Sequence, residues 1–132
     1  MTAQIPESHR GLLTGKNFAH VATLMKDGSP QSTPVWIDFD GEYVLMNTAE
    51  GRTKTRNLDR DGRVALSVID GENPYRYLQV RGKVAGRTTE GADAHIDALA
   101  KRYMGVDRYP YHDPSSRRVI YRILPEHVQT MG

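Results

Sequence analysis

The chain has 132 residues, and its 18 Lys and Arg side chains nearly balance its 16 Asp and Glu side chains, which gives a formal net charge of +2. Such a small net charge, with both signs interspersed, argues against a basic nucleic-acid-binding face. The absence of cysteine excludes disulfides, thiolate metal sites and a cysteine nucleophile. We find no signal peptide and no apolar run that could cross a bilayer, so we expect one cytoplasmic domain over residues 1–132.

The first half of the chain predicts one short helix and three strands. These are a helix from Pro6 to Leu13 and strands at Phe18–Met25, Gln31–Phe39 and Tyr43–Thr48. Asp27 and Gly28 form a strong hairpin signal between the first two strands. Pro34 removes a hydrogen-bond donor from the second strand, which predicts an unpaired or bulged stretch there, and backbone left free in this way can face a ligand.

The second half predicts two more helices and three more strands. These are a helix from Thr53 or Arg52 to about Asp59, strands at Arg63–Asp70 and Arg76–Arg87, a helix at Glu90–Tyr103 and a strand at Arg117–Val128. The fifth strand alternates apolar and polar side chains, as a half-buried strand does. Six strands in hairpin order with few helices predict a small antiparallel barrel.

The common motifs of catalysis are absent from the sequence. There is no glycine-rich nucleotide loop and no serine nucleophile elbow. The histidines share no metal-ligand spacing and predict structural or surface roles and no metal site: His9, His20, His95, His112 and His127. Asp38 and Asp40 are interpreted as part of a solvated turn. We therefore expect that, if the protein is an enzyme, a cofactor carries the chemistry.

The turn Gly51–Asn57 concentrates positive charge between a predicted strand and a predicted helix, at Arg52, Lys54 and Arg56. Cations at the start of a helix are mildly unfavourable because they meet the positive end of its dipole. The free amides of the same helix start favour an anion. The pattern therefore indicates an anion site. The alternative is a solvated turn, neutralised by Glu50, Asp59 and Asp61.

Three segments around this turn carry a family resemblance: "DGSPQSTPVW", the pattern R-x-K-x-R-N-L, and "DGRVALSV". Together they resemble the pyridoxamine 5'-phosphate oxidase-like split-barrel superfamily, over about residues 15–90. Within it they look most like the flavin/deazaflavin oxidoreductases that use coenzyme F420. The resemblance implies a mainly β, six-stranded antiparallel split barrel of the FMN-binding type. It also implies a homodimer with two cofactor sites at its interface.

The resemblance further implies a set of cofactor-binding residues. Arg52 and Lys54 would hold the cofactor phosphate, with Thr55 and Asn57 as donors at the helix start. The end of the third strand, Asn47 and Thr48, would contact the ribityl–phosphate region. The second strand would lie along the ring system through Gln31, Ser32, Thr33, Pro34 and Val35. Tyr77 would reach the ring from the partner subunit.

The implied activity is transfer of a hydride from reduced F420 to an electron-poor small-molecule acceptor. An FMN-dependent oxidoreductase and a non-catalytic carrier of a flavin or tetrapyrrole are the alternatives. Pyridoxamine phosphate oxidases proper carry an Arg on the second strand, where this chain has Thr33, and an Arg-His pair near the C-terminus that is missing here. These departures indicate a reaction other than vitamin B6 oxidation. No residue is assigned as the catalytic proton donor.

Three further features leave alternatives open. Trp36, the single tryptophan, predicts a packing role, either inside the barrel or towards a dimer interface. The loop Arg108–Asp113 is rich in tyrosine and could form a substrate lid or a contact at the dimer edge. Arg56, Arg60 and Lys16 could face the anionic tail of the deazaflavin or only solvent.

Overall fold

The fold is one curled antiparallel sheet with three short helices. A computed structural model describes residues 2–132. Its elements are α1 (Glu7–Thr14), β1 (Ala19–Leu24), β2 (Pro30–Val35), β3 (Asp38–Phe39), β4 (Val44–Ala49), α2 (Thr53–Arg60), β5 (Arg63–Asp70), β6 (Asn73–Thr88), α3 (Ala92–Met104) and β7 (Arg118–Met131). The strands form a single sheet in the order β2-β1-β5-β6-β7-β4-β3. No helix in the described chain is both long and apolar enough to span a membrane.

The predicted fold class is confirmed, but the described chain has seven strands instead of six. The predicted strand Gln31–Phe39 is interrupted at Trp36 and Ile37. Ile37 is fully buried, and α3 supplies its backbone partners. Its N–H donates to the Tyr103 hydroxyl at 3.2 Å, and its carbonyl accepts from Arg102 Nη1 at 2.9 Å. Because side chains satisfy this backbone, the chain leaves the sheet there and re-enters it as β3.

The sheet curls around an apolar core. Alternate residues of the strands point inwards, as a period of two requires, and the fully buried members include Val21, Val68, Val80, Tyr121 and Ile123. β2 and β3 are separated by two residues in sequence, yet they lie at opposite ends of the strand order. The two ends of the sheet therefore approach each other without pairing, and the barrel stays open on that side.

Pro34 lies on an edge strand, as its missing donor predicted. β2 pairs with β1 alone, and Pro34 lies opposite His20 in that ladder. The other edge of the β2 backbone has no strand beside it anywhere in residues 2–132. This free edge faces the gap in the barrel.

The register between β6 and β7 depends on Gly82. The pairing shifts between Arg81 and Gly82, and a Cβ atom on Gly82 would lie 2.0 Å from the carbonyl oxygen of Leu124. The Gly82→Ala variant should lose at least about 1–3 kcal/mol of unfolding free energy, because the two backbones must move apart. Gly11→Ala is the control, since its added methyl group meets no atom within 4 Å in helix α1. It should gain up to about 1 kcal/mol. Denaturant unfolding measures both, and equal stabilities would contradict this role of Gly82.

Candidate functional site

A cavity of about 330 Å³ lies at the open side of the barrel. It is bordered by the end of β2, the end of β4, the start of α2, the start of β7 and the loop after α3. The lining residues are Phe18, Pro34, Val35, Trp36, Asn47, Thr48, Arg52, Lys54, Ile96, Tyr109, Tyr111 and Arg118. The cavity is thus built where the two unpaired ends of the sheet meet.

Three cations converge on this cavity. Arg52 precedes the first turn of α2, Lys54 lies in that turn, and Arg118 is the buried first residue of β7. Burial lowers the pKa of Lys54, and the positive charges of Arg52 and Arg118 lower it further. Burial likewise lowers the pKa of Arg118 and Arg52 adds to the effect, while Tyr109 and the Asp93 carboxylate oppose it without cancelling it. Both pKa shifts reflect positive charges that lie close together and are partly removed from water.

The acidic residues near the turn are engaged elsewhere. Glu50 Oε1 accepts from Arg87 at 2.6 Å, and Asp59 Oδ2 accepts from the same guanidinium at 2.8 Å. Asp61 pairs with Arg63 at 2.7 Å. Among residues 2–132, no carboxylate oxygen lies within 4.0 Å of the side-chain nitrogens of the three cavity cations. Glu50, Asp59 and Asp61 therefore do not neutralise Arg52 or Lys54 through direct ion pairs.

The start of α2 also lacks an internal acceptor. Arg52 occupies the N-cap position with an extended backbone, no side chain caps the helix, and its first turn holds no acidic residue. The Thr55 hydroxyl donates to the Arg52 carbonyl at 2.7 Å, so this hydrogen bond does not satisfy any of the amides at the helix start. Free amides and three cations together form a site for an anionic group such as a phosphate.

Aromatic side chains form another part of the cavity wall. Trp36 stacks on Tyr103 with ring centroids 5.1 Å apart, and Tyr109 meets Trp36 edge-on at 5.8 Å. Tyr111 packs edge-on against Tyr109 at 5.7 Å, and the Arg118 guanidinium lies 5.2 Å from the Tyr109 ring centre. The predicted packing role of Trp36 is confirmed within the chain. The wall offers flat apolar surface beside the cations.

Six of the predicted site residues come together in the cavity lining: Pro34, Val35, Asn47, Thr48, Arg52 and Lys54. Thr55 and Asn57 are buried in α2, and the Asn57 amide donates to the Thr23 hydroxyl at 3.0 Å. Their side chains therefore support the helix instead of lining the cavity.

The remaining predicted residues lie outside the lining. Gln31 Oε1 accepts from the Thr23 hydroxyl at 3.4 Å, and the buried Thr33 hydroxyl has no hydrogen-bond partner in the described chain. Ser32 points to the outer face of the sheet, into a separate shallow cavity. Tyr77 lies on β6, opposite Ile69, and does not line the cavity of its own protomer.

The sequence missed Arg118, which lies opposite Ala49 in the β4–β7 ladder and so reaches the cationic turn. No sequence motif surrounds Arg118, and only the pairing of β4 with β7 brings it near the turn. Conversely, two cations near the turn face away from the cavity lining. Arg56 Nη2 donates to the Gly51 carbonyl at 2.6 Å, and Arg60 Nη2 donates to the Leu24 carbonyl at 2.7 Å.

The interpretation of Asp38 as part of a solvated turn is wrong. Its oxygens accept from His95 Nε2 and Arg102 Nη2, each at 2.9 Å. Burial alone would raise the pKa of Asp38, but these hydrogen bonds and the Phe39 amide outweigh it and lower the pKa to about 2. Asp40 does cap the exposed turn, where its Oδ1 accepts from the amides of Glu42 and Tyr43. Residues 2–132 contain no group of three His, Asp or Glu side chains placed to hold a metal ion.

Known proteins share both the sequence pattern and the fold. The chain is 31% identical to the F420H(2)-dependent biliverdin reductase of Mycobacterium tuberculosis (strain CDC 1551 / Oshkosh) over 129 residues, which are 96% of this chain and 88% of that protein. It is 37% identical to a solved F420 reductase, with a TM-score of 0.84 over 95% of this chain and 98% of the other. A conserved hypothetical protein of Mycobacterium tuberculosis shares the fold, with a TM-score of 0.74 and 24% identity over 98% of this chain and 86% of its own.

The family model described as pyridoxamine 5'-phosphate oxidase matches residues 5–132. This match covers the second strand, the cationic turn and the strand after it, and it also covers β7, which supplies Arg118. The resemblance inferred from those segments is confirmed. The chain belongs to the pyridoxamine 5'-phosphate oxidase family.

Proposed function

We propose that this protein is an F420-dependent reductase that passes a hydride to an electron-poor small-molecule acceptor. Two relatives that cover nearly the whole chain are named as F420-dependent or F420 reductases, and they support this cofactor. The observation that carries the proposal is the convergence on one cavity of three cations that have no carboxylate in salt-bridge contact among residues 2–132. A phosphorylated cofactor supplies the missing negative charge.

The residues present fit such a cofactor. Lys54 and Arg118 are partly desolvated cations, so an anion between them restores favourable electrostatics. Asn47 and Thr48 continue the polar lining from the end of β4. The free edge of β2 at Pro34 offers backbone groups beside the cavity. When bound, the reduced deazaflavin supplies the hydride.

The protein's own contribution is binding, orientation and exclusion of water. The cations fix the anionic end of the cofactor, while the stacked pair Trp36 and Tyr103 gives the cavity a rigid wall. Tyr111 is 70% exposed at the rim of the cavity, where it can cover an acceptor lying on the ring system. A flat, conjugated acceptor suits this aromatic side.

The cofactor can be identified by titration of the purified protein. F420, FMN and haem should be added separately, with binding followed by fluorescence or absorbance. We expect F420 to bind most tightly and the loaded protein to oxidise reduced F420 when given enones, quinones or tetrapyrroles. Tighter FMN binding would favour the FMN-dependent alternative. Binding without oxidation across that panel would favour the carrier.

Lys54→Ala tests the proposed phosphate contact. Loss of a charge-assisted hydrogen bond costs about 1.5–3 kcal/mol, so the Kd for F420 should rise about 10- to 150-fold. Lys101→Ala is the matched control, because Lys101 is an exposed lysine in α3 outside the cavity lining. It should leave the Kd within about twofold, since surface charge is screened. An unchanged Kd in Lys54→Ala would remove Lys54 from the proposed site.

We also propose that the protein is a homodimer. Ile69, Tyr77 and Met131 lie side by side across β5, β6 and β7, which forms an apolar row on the outer face of the sheet. Ile69 is 42% exposed and Met131 is 49% exposed within one chain. A second copy of the chain packed on this row would remove its apolar side chains from water.

Sedimentation of the wild-type protein should give a dimer. The Ile69→Lys variant should shift the equilibrium towards monomer by placing charge on the apolar row. Met104→Lys is the control, because Met104 is similarly exposed at 40% but lies on α3. A monomeric wild type, or a dimer equally weakened by both variants, contradicts the proposed interface.

A further inference from the structure

A chain of hydrogen bonds runs from β3 to the cavity through four side chains. Asp38 Oδ2 lies 2.9 Å from His95 Nε2, and His95 Nδ1 lies 3.1 Å from Asn47 Nδ2. Asn47 Oδ1 then accepts from Arg118 Nε at 3.0 Å. We call these residues the Asp38–Arg118 chain. Its first two members lie behind the cavity, and its last two line it.

The direction of each hydrogen bond in this chain follows from which groups can donate and which can only accept. Asp38 is a carboxylate that only accepts, since its pKa is held at about 2. The hydrogen on His95 Nε2 therefore points at Asp38, and Nδ1 accepts because it faces the Asn47 amide nitrogen, which can only donate. Asn47 gives one N–H to Nδ1 and the other to the Ala92 carbonyl at 2.9 Å. Its oxygen consequently faces Arg118, because both amide hydrogens are already committed.

This orientation holds the guanidinium of Arg118 at several points. Besides the bond from Nε, Nη2 donates to the backbone carbonyl of Asn47 at 3.4 Å. The planar group also stacks near the Tyr109 ring. Arg118 is buried with no carboxylate in salt-bridge contact in residues 2–132, so hydrogen bonds to neutral oxygens set its position. Its positive charge therefore remains available to an anion in the cavity.

We propose that His95 is a positioning residue, which acts through Asn47 to hold Arg118 in the orientation that binds the anionic part of the cofactor. This inference rests on the proposed function. An amide neither gains nor releases a proton near neutral pH, so the chain transmits orientation and not protons. A purely structural role would instead make His95 a link between α3 and the sheet, with no effect on Arg118.

Two substitutions at position 95 separate these roles. In His95→Asn, the amide oxygen takes about the place of Nδ1 and can still accept from Asn47. In His95→Gln, the longer side chain can still reach Asp38, but it leaves no acceptor for Asn47. We expect the Kd for F420 to rise about tenfold in His95→Gln, as loss of one hydrogen bond implies, and about threefold or less in His95→Asn. Equal losses in both variants would overturn the proposal.

A second measurement needs no cofactor. The Arg118 Nε–H should give an NMR signal that exchanges slowly with water in the apo wild type, with Arg118→Lys used to assign it. The signal should stay protected in His95→Asn and exchange at least about tenfold faster in His95→Gln. Unchanged protection in His95→Gln would overturn the proposal. A protected wild-type signal without F420 binding would instead count against the proposed function alone.

Asp38→Asn is a second test of the same proposal, for use if the His95→Gln variant does not fold. An amide at position 38 can accept from His95 Nε2–H or donate to an unprotonated Nε2, so it no longer fixes the tautomer of the ring. Exchange of the Arg118 Nε–H should then become faster than in the wild type. Exchange as slow as in the wild type would show that the chain does not control Arg118.

Discussion

The site depends on Arg87, which engages the two carboxylates beside the cationic turn. Arg87 binds Glu50 just before the turn and Asp59 near the end of α2, and Tyr121 donates to the same Asp59 at 2.8 Å. These partly exposed ion pairs contribute little stability by themselves. Their larger effect is on charge distribution, because they keep both carboxylates away from the cavity. Arg52 and Lys54 are thereby left with no carboxylate in salt-bridge contact among residues 2–132.

The open barrel gives this unpaired charge a place to act. β2 and β4 do not pair, and α3 packs across the gap between them. Tyr103 is one of the residues that attach it: its hydroxyl accepts from the Ile37 amide and donates to the Asn17 carbonyl at 2.6 Å, while its ring stacks on Trp36. The same helix thus closes the core and supplies the back of the aromatic wall. Cations with flat apolar surface beside them suit a ligand with an anionic end and a conjugated ring.

The strands and turns were largely predictable because their signals are local. Alternation of apolar side chains and the Asp27-Gly28 turn place β1 and β2 within a few residues of their observed bounds. The break after β2 was not predictable, because the groups that satisfy Ile37 lie on α3, 66 positions later in the case of Tyr103. Asp38 was misread for the same reason, since its partners His95 and Arg102 are also on α3.

The sequence by itself determined the class of fold, the unpaired backbone at Pro34 and the concentration of cations at the helix start, at Arg52 and Lys54. Each of these follows from a short stretch of chain, through strand periodicity, a missing backbone donor or the chemistry of a helix start. Only the tertiary structure decided that no carboxylate of residues 2–132 contacts Arg52 or Lys54, that Arg118 lies beside them and that His95 lies behind Arg118. The reason is that a charged side chain takes its partner from whichever elements pack beside it, and here the pairing of β4 with β7 and the docking of α3 select those neighbours.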